Sequence, residues 1–295
     1  MRFSNSSVMI IGSDSDSTVM RLELDAETQE SICEQFSSAV DELIGNKEKI
    51  KFDGKYKPES DEFLSIENFQ LSDSIRDAIR NPVGVEAYNI NNEDDSGIKA
   101  IFVGQYTESD ENENFEIAFQ RFRKEQYISP SFFHIFFSDN TFKREKNPGI
   151  SILNSVDCFY CGNELQFSSF YFARQIFDLS GYYRSATDQE VQAFTGNSKL
   201  IFENATNFRN IADTSIRRKI AMINDSGVLE KYSPSEIHKL ANNIDISVEV
   251  KEGRVYIPND KVKVKIILHF LDEEAYQGPF TKDTFLTNSK RKVSQ

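Results

Sequence analysis

Apolar residues recur along this chain with two periods, and segments of each kind alternate. Val8-Met9-Ile10-Ile11 and residues 18–24 are short apolar runs on either side of the polar stretch 12–17, the pattern of two strands joined by a turn. Behind Asp25, a cap-type residue, Cys33, Phe36, Val40, Leu43 and Ile44 recur at helical spacing and stop at Gly45. Ser72 opens a second helix, with Ile75 and Ile79 four apart, and Asn81-Pro82 ends it after Arg80. Residues 85–90 and 98–104 read as a hairpin closed by the acidic loop 91–97. A second acidic loop, 108–114, precedes a strand-rich region that starts at Phe115, Ile117, Phe119 and Phe122 and runs to about Ser168. That region includes 132–137, 150–153, 156–160 and 164–168, and Phe170, Phe172, Ala173, Ile176 and Phe177 follow at helical spacing over 169–179.

Three further helices are expected. Phe208 to Asn224 carries Ile211, Ile216, Ile220 and Ile223. Ser233-Pro234-Ser235-Glu236 has the form of a helix start, with a capping serine, proline in the first turn and glutamate at the third position. Lys261 to Leu271 alternates like a strand in its first half and suits a helix in its second, and we read it as a helix. Between the last two, 246–250 and 254–257 flank Lys251-Glu252-Gly253 as a hairpin. These elements predict an α+β fold: a largely antiparallel, Phe-rich sheet with packed helices, then a helical C-terminal part containing a β-hairpin. The expected organisation is an acidic α/β region over 1–113, an α+β core over 114–292 and a tail at 293–295, with the acidic loop near 108–113 serving either as a boundary or as a hairpin connection.

Composition sharpens this. Twenty-five Phe, 11 Tyr and no Trp imply a core of flat rings under helices. No run reaches the roughly 20 apolar residues that span a bilayer, and the N-terminus lacks the apolar core of a secretory signal. The chain is therefore expected to be soluble and cytoplasmic. Cys33, Cys158 and Cys161 are too few for a disulfide scaffold. The formal charge of −13 argues against nucleic-acid binding when taken whole. It is unevenly spread: residues 199–295 hold 16 basic and 13 acidic side chains, whereas residues 1–198 hold 18 and 34.

Candidate chemistry is sparse. Cys158-Phe159-Tyr160-Cys161 has the spacing of half a zinc knuckle but no second pair, and two structural thiols are the simpler reading. Asp14-Ser15-Asp16 lacks the glycine and terminal glutamate of a calcium loop, so a solvated turn is expected. No phosphate-binding glycine loop, nucleophile elbow or metalloprotease helix is present, and no cofactor, metal or catalytic residue is assigned. The basic clusters are more informative: Arg217, Arg218 and Lys219; Lys261, Lys263 and Lys265; Asn288, Lys290, Arg291 and Lys292. Arginine forks and lysine point charges suit phosphate oxygens. Against that stands the ordinary reading of each cluster as a solvated helix face. Arg121-Phe122-Arg123-Lys124 and Lys143-Arg144-Glu145-Lys146 interleave charge with aromatics at strand ends, and they either extend a basic surface or border the sheet.

Val255-Tyr256-Ile257-Pro258, His269-Phe270-Leu271-Asp272-Glu273-Glu274, Tyr276-Gln277-Gly278-Pro279-Phe280-Thr281 and Thr287-Asn288-Ser289-Lys290-Arg291-Lys292 together resemble a bacterial family of KwaB-like proteins, the cytosolic subunits of Kiwa anti-phage defence. Phe170 to Phe177, Arg217-Arg218-Lys219 and the stretch from Tyr56 to Arg80 look similar to the same family. The resemblance implies a non-enzymatic homodimer that binds double-stranded DNA. It also implies action beside a KwaA-like membrane protein, which would recruit the chain to the inner face of the membrane, and interference with phage DNA replication or transcription. It supplies no catalytic motif and no DNA contacts, so the basic residues named above are assigned from their chemistry alone. Two other readings stay open: an interaction adaptor whose acidic loops 91–95 and 108–113 dock on a basic membrane partner, and a metal-dependent nuclease with scattered carboxylates.

Overall fold

The computed structural model describes residues 2–13, 18–90, 97–109, 112–131, 133–182, 184–287 and 289–290. The turn around Asp14-Ser15-Asp16, the acidic loop 91–96, and Asn288, Arg291 and Lys292 lie outside them. The chain divides into two compact units, residues 1–52 with 58–179, and residues 53–57 with 180–295.

The first unit is built on an eight-stranded sheet. Its elements in chain order are β1 (Val8–Gly12), β2 (Val19–Arg21), α1 (Ala26–Ile44), β3 (Glu48–Lys51), β4 (Glu62–Ile66), α2 (Asp73–Arg80), β5 (Ile98–Ser109), β6 (Asn112–Arg121), β7 (Tyr127–Ile128), β8 (His134–Ser138), β9 (Thr141–Glu145), β10 (Gly149–Ile150), β11 (Cys158–Cys161), β12 (Glu164–Phe167) and α3 (Phe170–Ile176). The strand order is β2-β1-β5-β6-β11-β12-β4-β3, antiparallel at every pairing except β3–β4. β7 with β10, and β8 with β9, form separate two-stranded sheets.

Register explains the phenylalanines. Met9, Phe102, Phe119, Cys158, Phe167, Leu64 and Ile50 stand opposite one another in turn across seven strands. Side chains alternate between sheet faces, so this row lines one face, and all of it is buried. α2 and α3 cover that face, with Phe177 edge-on to Phe119 at 4.9 Å. Gly104 lets α2 approach, because a Cβ there would meet the Ile79 side chain at 2.8 Å. The opposite face carries Val8, Val103, Ala118 and Phe159 against Cys33, Phe36, Val40 and Leu43 of α1. Asp25 caps α1 by accepting from the Thr28 amide at 2.8 Å.

The same alternation settles the cysteine pair. Residues three apart on a strand point to opposite faces, so Cys158 and Cys161 of β11 cannot close on one metal. Cys158 is completely buried in the Phe row, and burial pushes its thiol well above the ordinary value of 9.0.

One expected pairing is corrected. Residues 85–90 do not pair with 98–104: both edges of β5 are taken, by β1 and by β6, and Ala87 makes only an isolated bridge to Arg21. The stretch 108–113 connects β5 to β6 within the first unit, with Ser109 opposite Asn112 in the ladder. β3 and β4 have no counterpart in the sequence reading; their alternation is short, and β3 has one buried side chain, Ile50.

The second unit contains α4 (Asp188–Thr195), β13 (Leu200–Phe202), α5 (Ala205–Ile211), α6 (Thr214–Ser226), α7 (Val228–Lys231), α8 (Pro234–Asn242), β14 (Val250–Lys251), β15 (Arg254–Ile257), α9 (Lys261–Leu271), β16 (Ala275–Gln277) and β17 (Thr284–Leu286). The expected helix over 208–224 is two helices, because Asp213 turns its carboxylate to the Ile216 amide at 3.0 Å and caps a new one. The expected hairpin forms as β14 and β15, with Glu252 and Gly253 at φ of 50° and 73°, and β13 adds in parallel to β15. Phe194, Leu200, Ile220, Ile237, Val255 and Leu268 are part of the core around which the helices close.

Two buried amides hold the loop after β10. Gln120, 1% exposed, donates to the carbonyls of Leu153 and Ser155 and accepts from the Leu153 amide at 3.0 Å. Gln126, 2% exposed, donates to the Ser151 carbonyl at 2.8 Å and to Gln120 at 3.2 Å. Replacing Gln120 with alanine strands three main-chain groups in a dry site. Gln120→Ala is expected to lower the unfolding free energy by about 1–3 kcal/mol in urea titration.

Candidate functional site

The basic clusters of the second unit meet at α6 and α9. On α6, Ile216, Ile220 and Ile223 form the buried stripe that a helix presents at spacings of three and four. Lys219 lies on that stripe, three after Ile216 and four before Ile223, so helical geometry carries its stem inward. It is 6% exposed. Its ammonium donates to Glu274 and, at 3.2 Å, to Asp272. Both carboxylates have side chains only 2% exposed. His269 Nδ1 lies 2.9 Å from the Glu274 carboxylate. Lys290 donates to the Asp272 carbonyl and lies 3.4 Å from its carboxylate. Two lysines, two carboxylates and one histidine thus form a closed internal network.

The two carboxylates respond differently to this setting. Desolvation opposes ionisation of Glu274, but the contacts with His269 and Lys219 outweigh it and hold the carboxyl near about 2, against an ordinary 4.5. At Asp272 desolvation dominates and raises the carboxyl, with Lys290 and Lys219 opposing it.

Arg217 is half-buried. Its guanidinium donates to the Ala212 carbonyl at 3.0 Å, the Ala186 carbonyl at 3.2 Å and Asp188 at 2.6 Å. Arg218 is also half-buried. α9 separates its three lysines, because a helix turns the first and fifth residues to one side and the third to another. Lys261 and Lys265 reach the Asp213 carboxylate at 2.9 and 3.5 Å. Desolvation raises the Asp213 carboxyl, but the Ile216 amide and the two lysines hold it near about 2, against an ordinary 3.8. Lys263 instead lines a cavity of about 720 Å3 whose rim carries Glu203, Asp245, Glu249 and Asp260. There the Tyr256 hydroxyl meets Glu203, and the Lys251 ammonium sits 3.2 Å from the centre of the tyrosine ring.

The structure therefore brings Arg217, Arg218, Lys219, Lys261, Lys263, Lys265 and Lys290 into one unit, but it gives them different work. Lys219 and Lys290 neutralise buried acids. Arg217 ties α6 to the start of α4. Lys261 and Lys265 share a carboxylate at the surface, with side chains 47% and 40% exposed. Sequence reasoning missed the carboxylates Asp213, Asp272 and Glu274, and the position of Lys219 on the isoleucine stripe was the signal for it. Among the described residues, no group of three or more His, Cys, Asp or Glu is placed to hold a metal ion. Nor is any helix there long and apolar enough to cross a membrane.

A family model described as "Kiwa protein KwaB-like" matches residues 110–281, more than half of the chain. The chain belongs to the KwaB-like family. Family membership makes it a subunit of Kiwa anti-phage defence. In this KwaB-like chain the matched range opens at β6 and takes in β8, β9, α3 and the part of the second unit from residue 180 through β16. Lys219, His269, Asp272 and Glu274 fall inside it, and Lys290 lies beyond. No curated protein and no solved structure matches the chain.

Two outcomes test the internal network. Lys219→Met leaves two buried carboxylates short of a cation and is expected to cost about 3–5 kcal/mol in chemical unfolding. Glu274 has a folded value below its unfolded one, so the unfolded chain binds more protons between the two, and stability rises with pH there. Its contribution is fully present above about 4.5 and is lost as pH falls toward about 2. Glu274→Gln should flatten the acid limb of a urea-midpoint-against-pH curve across that window.

Proposed function

We propose that this chain is the DNA-engaging effector of a Kiwa-like system, a non-enzymatic homodimer that acts beside a KwaA-like membrane protein and impedes phage DNA replication or transcription. The observation that carries the reading is the family match over residues 110–281. The physical support comes from the surface of α6 and α9. Lys261 and Lys265 hold Asp213 through exposed contacts, and exposed ion pairs are worth only roughly 0–1 kcal/mol. Phosphate oxygens can therefore compete for the same ammonium groups. Lys219 and Lys290 belong to the interior network in this account and Arg217 to the α4–α6 junction, so their loss would act through folding.

The acid-rimmed cavity beside Lys263 favours a second reading, an adaptor that receives a basic segment of the membrane partner. Glu203, Asp245, Glu249 and Asp260 line the cavity together with the apolar side chains of Ile246, Ile266 and Leu286 and with Lys251 and Lys263. A segment carrying lysine or arginine beside an apolar side chain would match both features.

The two readings separate on charge reversal. If DNA is the ligand, Lys261→Glu with Lys265→Glu should weaken a duplex-DNA mobility shift at low salt and reduce the salt slope by about two. Absence of any shift by the unaltered chain in low salt removes the DNA reading. Weakened capture of the neighbouring membrane protein by Glu203→Lys with Glu249→Lys, with DNA binding intact, would select the adaptor.

A further inference from the structure

Residues 132–137 read Phe-Phe-His-Ile-Phe-Phe, an apolar run of the kind that forms buried strands. The fold leaves it outside. β8 and β9 pair with each other and, among the described residues, with no third strand. Phe133, Ile135, Phe136, Phe137 and Phe142 are 74%, 54%, 48%, 64% and 67% exposed. The register places Phe137 opposite Phe142 and Ile135 opposite Arg144. Cross-strand partners share a face, so Ile135, Phe137, Phe142 and Arg144 lie together, and Arg144 also covers the Phe133 ring at 4.6 Å. The other face carries Phe136 beside Lys143. The arm stands on a fixed base: β7 pairs with β10, and Gln126 ties that stem to Gln120 of the main sheet.

We propose that this arm docks on an anionic lipid bilayer. The Phe133–Phe142 face enters the interfacial layer, and Lys143, Arg144 and Lys146 meet the headgroups. Charge favours that occupant. Residues 121–149 hold six Lys and Arg against three Asp and Glu, in a chain of formal charge −13. Arg123, Lys124, Lys143, Arg144 and Lys146 are all exposed. Of the three acids, Glu145 accepts from the amides of Lys146 and Asn147 at 2.9 and 2.8 Å, Asp139 pairs with Lys143 through an exposed contact, and Glu125 is exposed, which leaves the arm with a net positive charge. Apolar area flanked by cations is what an anionic interface attracts, and the attraction acts only within about a Debye length of the surface, roughly 8 Å at physiological salt.

Other occupants fit less well. For base stacking, one face of the Phe133 ring is already taken by Arg144, and Phe137 and Phe142 are held edge to face at 5.2 Å rather than as parallel platforms. A second copy docked through the same face would bring two Arg144 guanidinium groups into a shared apolar contact with no carboxylate on that face.

The chain has no Trp, so Phe137→Trp places a single reporter on the arm. With the full-length variant, emission should shift to the blue on adding phosphatidylcholine vesicles that contain phosphatidylglycerol, and not on adding phosphatidylcholine vesicles alone. The unaltered chain should co-sediment with the anionic vesicles. Phe133→Ser with Phe142→Ser should reduce that partition about ten-fold or more, and Lys143→Glu with Arg144→Glu should abolish it. Both double variants should keep the thermal midpoint of the parent, since the replaced side chains are exposed. No shift and no co-sedimentation with anionic vesicles would overturn the proposal. So would a shift produced by single-stranded DNA but not by vesicles, or one produced by raising protein concentration without lipid.

Discussion

A charged group removed from water must be neutralised where it sits, and in the second unit that requirement organises the C-terminal segment. Lys219 is carried into the core by the stripe of Ile216, Ile220 and Ile223. An ammonium there is tolerable only if anions come to it. Asp272 and Glu274 do so, from the end of α9 and the stretch leading into β16, and their excess charge draws in His269 and Lys290. The contact with Lys290 carries the chain past β17 back onto α9. Lys290 and Ser289 in turn meet Lys55 and Lys57, which accounts for residues 53–57 belonging to this unit. A cluster that looks like a cationic surface in the sequence is, in large part, an internal charge balance that closes the unit.

That distinction decides how much of the charge asymmetry is available to a partner. The net positive count of residues 199–295 includes Lys219, Arg217 and Lys290, whose charges are met inside the unit. Of the cluster residues, Lys261 and Lys265 stay at the surface on α9 and share Asp213, while Arg209, Lys231, Lys239, Lys251 and Lys282 are exposed elsewhere in the range. A phosphate approaching Lys261 and Lys265 would exchange one anionic partner for another, with little reorganisation of the lysine stems. Binding of that kind is weak per contact and sensitive to salt, as a mode without sequence preference should be.

Much of the fold was legible because local signals and tertiary demands agreed. Asp25, Ser233-Pro234 and Gly253 each mark an end or turn that the backbone requires, and α1, α8 and the β14–β15 hairpin stand where those residues put them. The antiparallel, Phe-rich sheet followed from alternation in β6, β11 and β12. The failures have physical causes. β13 gains its pairing from a strand distant in sequence, which no local period reveals, and β3 presents a single buried side chain, Ile50, too little to show an alternation. The helix read over 208–224 is interrupted because Asp213 makes a better cap than a helix interior residue. At the site, lysine and arginine were visible but their carboxylate partners were not. Opposite charges 53 to 55 positions apart leave no mark on a one-dimensional pattern.

Phenylalanine carries the same lesson to the arm. In the row from Met9 to Ile50 each ring is buried because a neighbouring strand and a covering helix exist for it. Residues 133–137 have composition equal to any core strand, yet the sheet closes through β6 and β11 without them. Hydrophobic sequence therefore specifies a demand for burial, and topology decides whether this chain meets it alone. An apolar run left in water on an anchored stem, with cations beside it, marks a demand for burial that a second phase would meet.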